Sequence, residues 1–365
     1  MYKDQIPTKN RKIDHIKIVL AEDVEYKMNT TLFEDIILIH NSLPELSINE
    51  INTKTKLFDR VFDYPILIDS MTGGIKIAER INRNLAIGAS KFNIPISCGS
   101  QRAALEDPSL ADTYKVIKEV SSDIYLIGNI GVQQLLDDPI STASKVIKMV
   151  NADALAIHLN PLQEVVQLEG DVNFKGCIKA IEKVINEFNI PIIVKETGAG
   201  ISREVAKVLV DIGVSAINVA GAGGTSWSAV EIIRNKLIMK DEFKSKIAEP
   251  FREWGIPTAA SLIEVLSVAN IPVIASGGIR SGIDIAKAIA LGAAFVGIAK
   301  PFLKAALESE DSVIDTLEIF IEQLKMAMLL TGADSIASLH KVKYVIVGRL
   351  KEWIEWRGIS WQVNQ

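Results

Sequence analysis

Ile271-Pro272-Val273-Ile274-Ala275-Ser276-Gly277-Gly278-Ile279-Arg280-Ser281-Gly282 runs from a wholly apolar segment through paired glycines into a helical pattern. A continuous apolar run of this length reads as a strand buried on both faces. Pro near its start removes an N–H where a strand needs it least. The same Ile-Pro phrase recurs at Ile94-Pro95 and Ile190-Pro191. Working outward from these three, eight such runs appear: Pro65–Ser70, Ile94–Gly99, Ile124–Asn129, Ala154–Asn160, Ile190–Glu196, Ser215–Ala220, Ile271–Ser276 and Ala294–Lys300.

Helical stripes lie between the runs. Leu110, Thr113, Tyr114 and Ile117 keep one face, as do Ala143, Val146, Ile147 and Val150. Ile178, Ile181, Ile185 and Phe188 repeat the spacing, and so do Val205, Val208, Leu209 and Ile212. Buried strands alternating with single-stripe helices mean parallel βαβ units. Eight of them predict an α/β fold, a closed (β/α)8 TIM barrel. One domain over 1–365 is expected, with an N-terminal extension at 1–64, the barrel at 65–308 and a helical tail at 309–365. Leu317, Phe320, Ile321 and Leu324 mark one face of that tail. Gly221–Gly255 separates the sixth strand from its helix, expected at Thr258–Ala269. That is too long for an ordinary βα loop and reads as a lid or binding excursion.

Composition narrows the function. Nearly half of the 365 residues are hydrophobic and the formal net charge is −5, which gives no support for general nucleic-acid binding. No apolar run reaches the ~18 residues of a membrane span, and no signal peptide is visible, so a cytoplasmic setting is expected. Cys98 and Cys177 form no CxxC pair and read as packing residues.

In such a barrel the chemistry gathers at the C-terminal ends of the strands. The 277–280 loop after strand seven lets backbone approach a phosphate, and the following helix offers free N–H groups. Ala299-Lys300 falls where that site needs its second wall. Lys195 ends an apolar strand, where a cation is costly unless it meets an anion. It reads as a ligand contact, a Schiff-base nucleophile or an ion-pair partner of Glu196. Ser100 and Asn129 would serve equally as helix caps, but beside Lys195 and a phosphate loop they suit a flavin ring. His158, Asn160, Gln163 and Glu164 form the densest polar cluster, either a hydrogen-bonded turn at Pro161 or a site in which Glu164 holds Mg²⁺. Asn10-Arg11-Lys12-Ile13-Asp14-His15 is an exposed basic patch or a diphosphate clamp folded over the barrel mouth.

These pieces together resemble the type II isopentenyl-diphosphate isomerases. The resemblance is carried by Arg11-Lys12 with His15, Met71-Thr72-Gly73-Gly74, Gly99-Ser100-Gln101-Arg102, Asn129, His158-Leu159-Asn160 with Gln163-Glu164, and Lys195-Glu196. It continues through Gly223-Gly224-Thr225, Gly277-Gly278-Ile279-Arg280, and Leu350-Lys351-Glu352-Trp353 with Arg357-Gly358. It implies FMN, active in its reduced form, with NAD(P)H as reductant, Mg²⁺, and isopentenyl and dimethylallyl diphosphate as substrates. Ser70, Met71, Thr72, Gly73, Ser100, Asn129, Lys195, Thr225, the 277–280 loop (Gly277, Gly278, Ile279, Arg280) and Ala299-Lys300 would hold FMN. Arg11, Lys12, Ser100, Gln101, Arg102, His158, Asn160 and Gln163 would face the substrate, with Gln163 and His158 catalytic and Glu164 on the metal. Lys300 stands where the family has mostly an apolar residue. A homo-oligomer, tetramer or octamer, is expected.

The alternative is an FMN-dependent oxidoreductase of the hydroxy-acid oxidase type. It needs a His base near the seventh strand, and none of the four His lies between Ala259 and Ile298. A nucleotide dehydrogenase would use a Cys after strand six, where Gly223-Gly224-Thr225-Ser226-Trp227 has none. A non-catalytic flavin or phosphate binder would not need the Gln163–Glu164 cluster.

Overall fold

The computed structural model describes residues 8–361. Eight parallel strands close a barrel in sequential order. They are β1 (Ile66–Ile68), β2 (Ile96–Ser97), β3 (Leu126–Gly131), β4 (Ala154–His158), β5 (Ile192–Lys195), β6 (Ala216–Asn218), β7 (Val273–Ser276) and β8 (Phe295–Ile298). Seven lie within the predicted runs, trimmed because a run's flanking residues leave the ladder to form loops, and β3 runs two residues past its predicted end at Asn129. Barrel helices follow: α1 (Lys76–Lys91), α2 (Asp112–Val120), α3 (Pro139–Val150), α4 (Cys177–Glu187), α5 (Arg203–Asp211), α6 (Thr258–Leu266), α7 (Gly282–Leu291) and α8 (Lys300–Glu308).

Local chemistry starts and stops these helices. Ser202 caps α5 by accepting from Val205 N, and Ser281 with Asp284 forms a capping box on α7. Gly292 ends α7 at φ 116°, a conformation that favours glycine. The buried stripes, Ile81 and Leu85 on α1 or Ile285 and Ile289 on α7, pack against the outside of the strands.

The lumen has its own small core of Leu67, Ile127, Ala156, Ile193, Ile274 and Phe295. A hairpin of Thr55–Leu57 and Arg60–Phe62 adds Leu57 and Phe62 to it, with Phe62 edge-on to both Tyr125 and Phe295 at 5.6 Å. Tyr125 and Phe295 stand at the starts of their strands, so the hairpin plugs the N-terminal end of the barrel.

Further elements decorate the barrel. Helix Thr8–Ala21 packs against helix Trp227–Leu237, which with Glu242–Ala248 occupies the excursion after β6. Helix Glu310–Thr331 lies along α1, α7 and α8. The tail is not wholly helical as its stripe implied. Tyr344–Ile346 pairs antiparallel with Ile36–Leu38 of the N-terminal extension, because short edge segments with exposed backbone satisfy each other. Helix Gly348–Trp356 then returns to the barrel, where Trp353 and Arg357 bond the buried Glu264.

Candidate active site at the C-terminal mouth of the barrel

Ladder register sets the floor. His158 lies opposite Gly131 on one side and Lys195 on the other, and Lys195 lies opposite Asn218. The Lys195 ammonium points into the mouth, donating to Glu196 O at 3.0 Å with Asp69 Oδ1 at 3.9 Å. Asp69 is bonded in turn by Asn218, and Asn218 by Ser276. The alternative pairing with the Glu196 carboxylate is not formed. That carboxylate points away and accepts from Thr197, Gly198 and Ala199 N at 2.5–2.6 Å, and burial pushes it up to about 7.

One cavity gathers nearly all the predicted site residues. At one end stand Gly277, Gly278, Ile279 and Arg280, with Ala299, Lys300 and Thr225. Gly277 and Gly278 have φ of 102° and 70°, and a Cβ on Gly278 would stand 2.4 Å from Thr31 Cγ2. Side chains are excluded there, and backbone is presented instead. Ser70, Met71 and Thr72, then Ser100, Asn129 and Lys195, line the middle.

At the other end Arg11, Lys12 and Arg102 meet His158, Asn160, Gln163 and Glu164. Lys12 donates to Ser100 O at 2.6 Å and to Tyr114 Oη at 2.8 Å. Burial, then the neighbouring Arg11 charge, brings its ammonium down to about 7. Burial, then Lys195, Lys12 and Arg102, holds His158 down to about 3. Its imidazole is therefore neutral at pH 7, with Nδ1 bonded to Asn129 Oδ1 at 2.9 Å. Glu164 accepts from Asn160 Nδ2 at 2.9 Å and from Asp171 N at 2.7 Å, while the buried Asn160 Oδ1 has no partner.

Two of the predicted residues do not line the cavity. Gln101 is fully buried behind the wall, donating to Val146 O and accepting from Asn129 N, so it supports β3 and does not face the cavity. Gly73 also lies behind the wall: its Cβ would stand 2.0 Å from Tyr114 Cε1, so the glycine makes room for the tyrosine that holds Lys12.

Sequence reading missed a buried charged cluster beneath the second end. Gln163 Nε2 donates to Glu231 Oε1 at 3.3 Å, and His15 Nε2 meets the same oxygen at 2.7 Å. Arg234 contacts Glu231, Glu169 and Asp14. Burial would raise the Glu231 carboxyl, but His15, Arg234 and Arg11 outweigh it and hold it at about 2. His15 also lies edge-on to Trp227 at 5.1 Å. The signal was present as Trp227, Glu231 and Arg234, one i, i+4, i+7 face of a helix in the excursion. Asp69 and Glu25 were likewise unassigned.

The arrangement offers an anion-ready backbone loop and a second cationic end, with a polar, buried floor between them. A family model described as FMN-dependent dehydrogenase matches residues 130–345. Solved structures of a putative lactate oxidase of Pediococcus acidilactici and of a mandelate oxidase share the fold, with TM-scores of 0.68 and 0.62. They are 14% and 18% identical; the matches cover 95% and 91% of this chain and 92% and 96% of theirs. The class is thus an FMN-dependent-dehydrogenase barrel.

Full-length relatives narrow it further. Isopentenyl-diphosphate delta-isomerases of Archaeoglobus fulgidus and Methanosarcina mazei are each 44% identical over 96% and 97% of this chain and 99% and 96% of theirs. That of Halobacterium salinarum is 46% identical over 98% and 99%. The chain belongs to the isopentenyl-diphosphate delta-isomerase family.

Proposed function

We propose that this protein interconverts isopentenyl and dimethylallyl diphosphate, using reduced FMN and Mg²⁺, with NAD(P)H as the source of reduction. The observation that carries the reading is the single cavity with two anion-ready ends, in a chain about 45% identical to isomerases along its length. One end suits a flavin phosphate and the other a substrate diphosphate, which puts the flavin ring and the alkene side by side.

The residues fit the flavin. Gly277 and Gly278 form a cradle that any Cβ would fill, and Lys195, Ser100 and Thr72 offer donors and acceptors along the middle. Asn129 contributes less than expected, since its amide already bonds His158 and Cys98 O. When bound, reduced FMN supplies a proton donor and an electron-rich face for positive charge developing on the alkene.

The residues also fit a hard cation. Among the described residues no group of three or more His, Cys, Asp or Glu is gathered for a metal. Mg²⁺ is commonly held by one carboxylate plus substrate phosphates. Glu164 supplies a buried carboxylate at the cavity wall, and Asn160, whose Nδ2 bonds it, leaves its own Oδ1 without a partner.

Arg11, Lys12 and Arg102 anchor the diphosphate, and so hold the alkene in register with the ring. His158 acts as a neutral hydrogen-bonding group, its imidazolium being out of reach near pH 7. Gln163 links the cavity to the ionised Glu231 and orients groups around the reacting carbons.

Anaerobic assay of isopentenyl diphosphate conversion tests the reading, with FMN, Mg²⁺ and the reductant omitted in turn. Conversion should require each. Conversion without FMN, or FMN-dependent oxidation of 2-hydroxy acids in place of isomerisation, would overturn it.

A further inference from the structure

We infer that Glu25 is a selectivity residue at the phosphate end of the cavity, closing it to any flavin that continues beyond a terminal monophosphate. The inference deepens the FMN reading and rests on it.

Arg280 and Lys300 line the cavity, and Glu25 holds both from outside it. Its Oε2 accepts from Arg280 Nη2 at 2.9 Å, its Oε1 accepts from Lys300 Nζ, and Thr225 Oγ1 donates to Oε1 at 3.3 Å. The partly exposed carboxylate therefore bridges the two cations at the phosphate end, so a phosphate chain continuing past them would meet it.

The wall is anchored independently of these ion pairs. Glu25 bridges Thr225, Tyr26 N donates to Gly224 O at 2.9 Å, and Ser226 N donates to Val24 O at 2.8 Å. Downstream, Lys27, Met28 and Asn29 N all donate to the Glu253 carboxylate. The roof has no slack either. A Cβ on Gly224 would lie 2.5 Å from Gly278 N, and one on Gly278 would lie 2.7 Å from Gly223 O.

Charge points the same way. A phosphate monoester carries close to two negative charges near neutral pH, which the loop N–H groups, Arg280 and Lys300 can balance while Glu25 keeps its own bonds. A flavin adenine dinucleotide would drive a second phosphoryl group into a fixed carboxylate and a closed backbone strip. Like charges held in contact repel, and the fixed strip leaves the carboxylate no room to withdraw.

The test is fluorescence titration of the FMN-free protein with FMN, flavin adenine dinucleotide and riboflavin. The wild type should bind FMN at least about 100-fold more tightly than the dinucleotide. Glu25→Gln keeps the bulk and removes the charge, and Glu25→Ala removes both. The preference should narrow by roughly tenfold in the first and further in the second, through tighter dinucleotide binding. The FMN-to-riboflavin ratio should not fall, because the phosphate keeps its partners. An unchanged FMN-to-dinucleotide ratio in both variants overturns the inference. So does a ratio that narrows only because FMN weakens, or a wild type that binds both flavins alike. Failure of the wild type to bind FMN at all removes the FMN reading itself, and is distinguished by flavin emission that the protein leaves unchanged.

Discussion

At one end of the cavity the loop after β7 presents backbone, with two glycines at positive φ and a helix start behind them. At the other end, side chains from four separate segments do the work: Arg11 and Lys12 from the N-terminal helix, Arg102 after β2, Gln163 and Glu164 after β4, and Glu231 from the excursion. The first end is built around one contiguous loop, and the charges beside it, Glu25, Arg280 and Lys300, are partly exposed. The second is assembled across more than 200 residues, as the His15–Glu231 separation of 216 shows, and holds several charges out of water. A backbone site tolerates little change in shape, whereas a side-chain site depends on mutual neutralisation.

Glu231→Ala probes that neutralisation most severely. It leaves Arg234 and Arg11 without their shared counter-charge in a fully buried position. Breaking a buried pair this way costs on the order of 3–5 kcal/mol, so thermal unfolding should shift down by many degrees. An unshifted Tm would mean that the charges do not depend on one another.

Gly278→Asp does the same to the backbone end. A side chain at φ 70° must displace Thr31 or Gly223, and its charge opposes a phosphate. FMN affinity should fall by at least about 100-fold, near 2.7 kcal/mol, with substrate-end variants leaving it untouched. Retained FMN affinity would remove the phosphate from this loop.

Glu164→Gln separates metal from structure at the second end. The Mg²⁺ concentration for half-maximal rate should rise by roughly tenfold or more, with FMN binding unaltered. A rate loss that no added Mg²⁺ restores, at an unmoved midpoint, would mark Glu164 as a base or a structural group.

The smallest effect is a pH slope. In the unliganded protein the Lys12 ammonium sits at about 7, and a bound diphosphate favours its charged form. Affinity is then fully expressed below pH 7 and lost as pH rises through and above it. The KM for the diphosphate should climb from pH 6.5 to 8.5, and Lys12→Arg, which stays charged, should flatten the climb. Lys12→Ala should raise KM at pH 6.5 while sparing FMN. A wild-type KM that is flat across this range would leave Lys12 outside the clamp.

Much of this comparison was legible in the chain beforehand, unevenly. Every barrel strand was readable, since burial on both faces demands continuous apolar runs. The phosphate loop was readable too, because glycine is required wherever φ is positive and backbone meets a ligand. The Thr55–Phe62 plug was not, because two three-residue strands carry too short a period to register. Gln101 turns away from the cavity, and alternation cannot say whether a residue in the loop after a strand turns inward or back.

The sequence by itself determined the barrel, the glycine loop and the polar strand ends, because periodicity and glycine's conformational freedom are local properties. Only the tertiary structure decided that Glu25 would cover Arg280 and Lys300, and that Glu231 would balance His15, Arg11 and Arg234. Charge pairing is set by distance and burial, and neither is encoded in the spacing of residues along the chain.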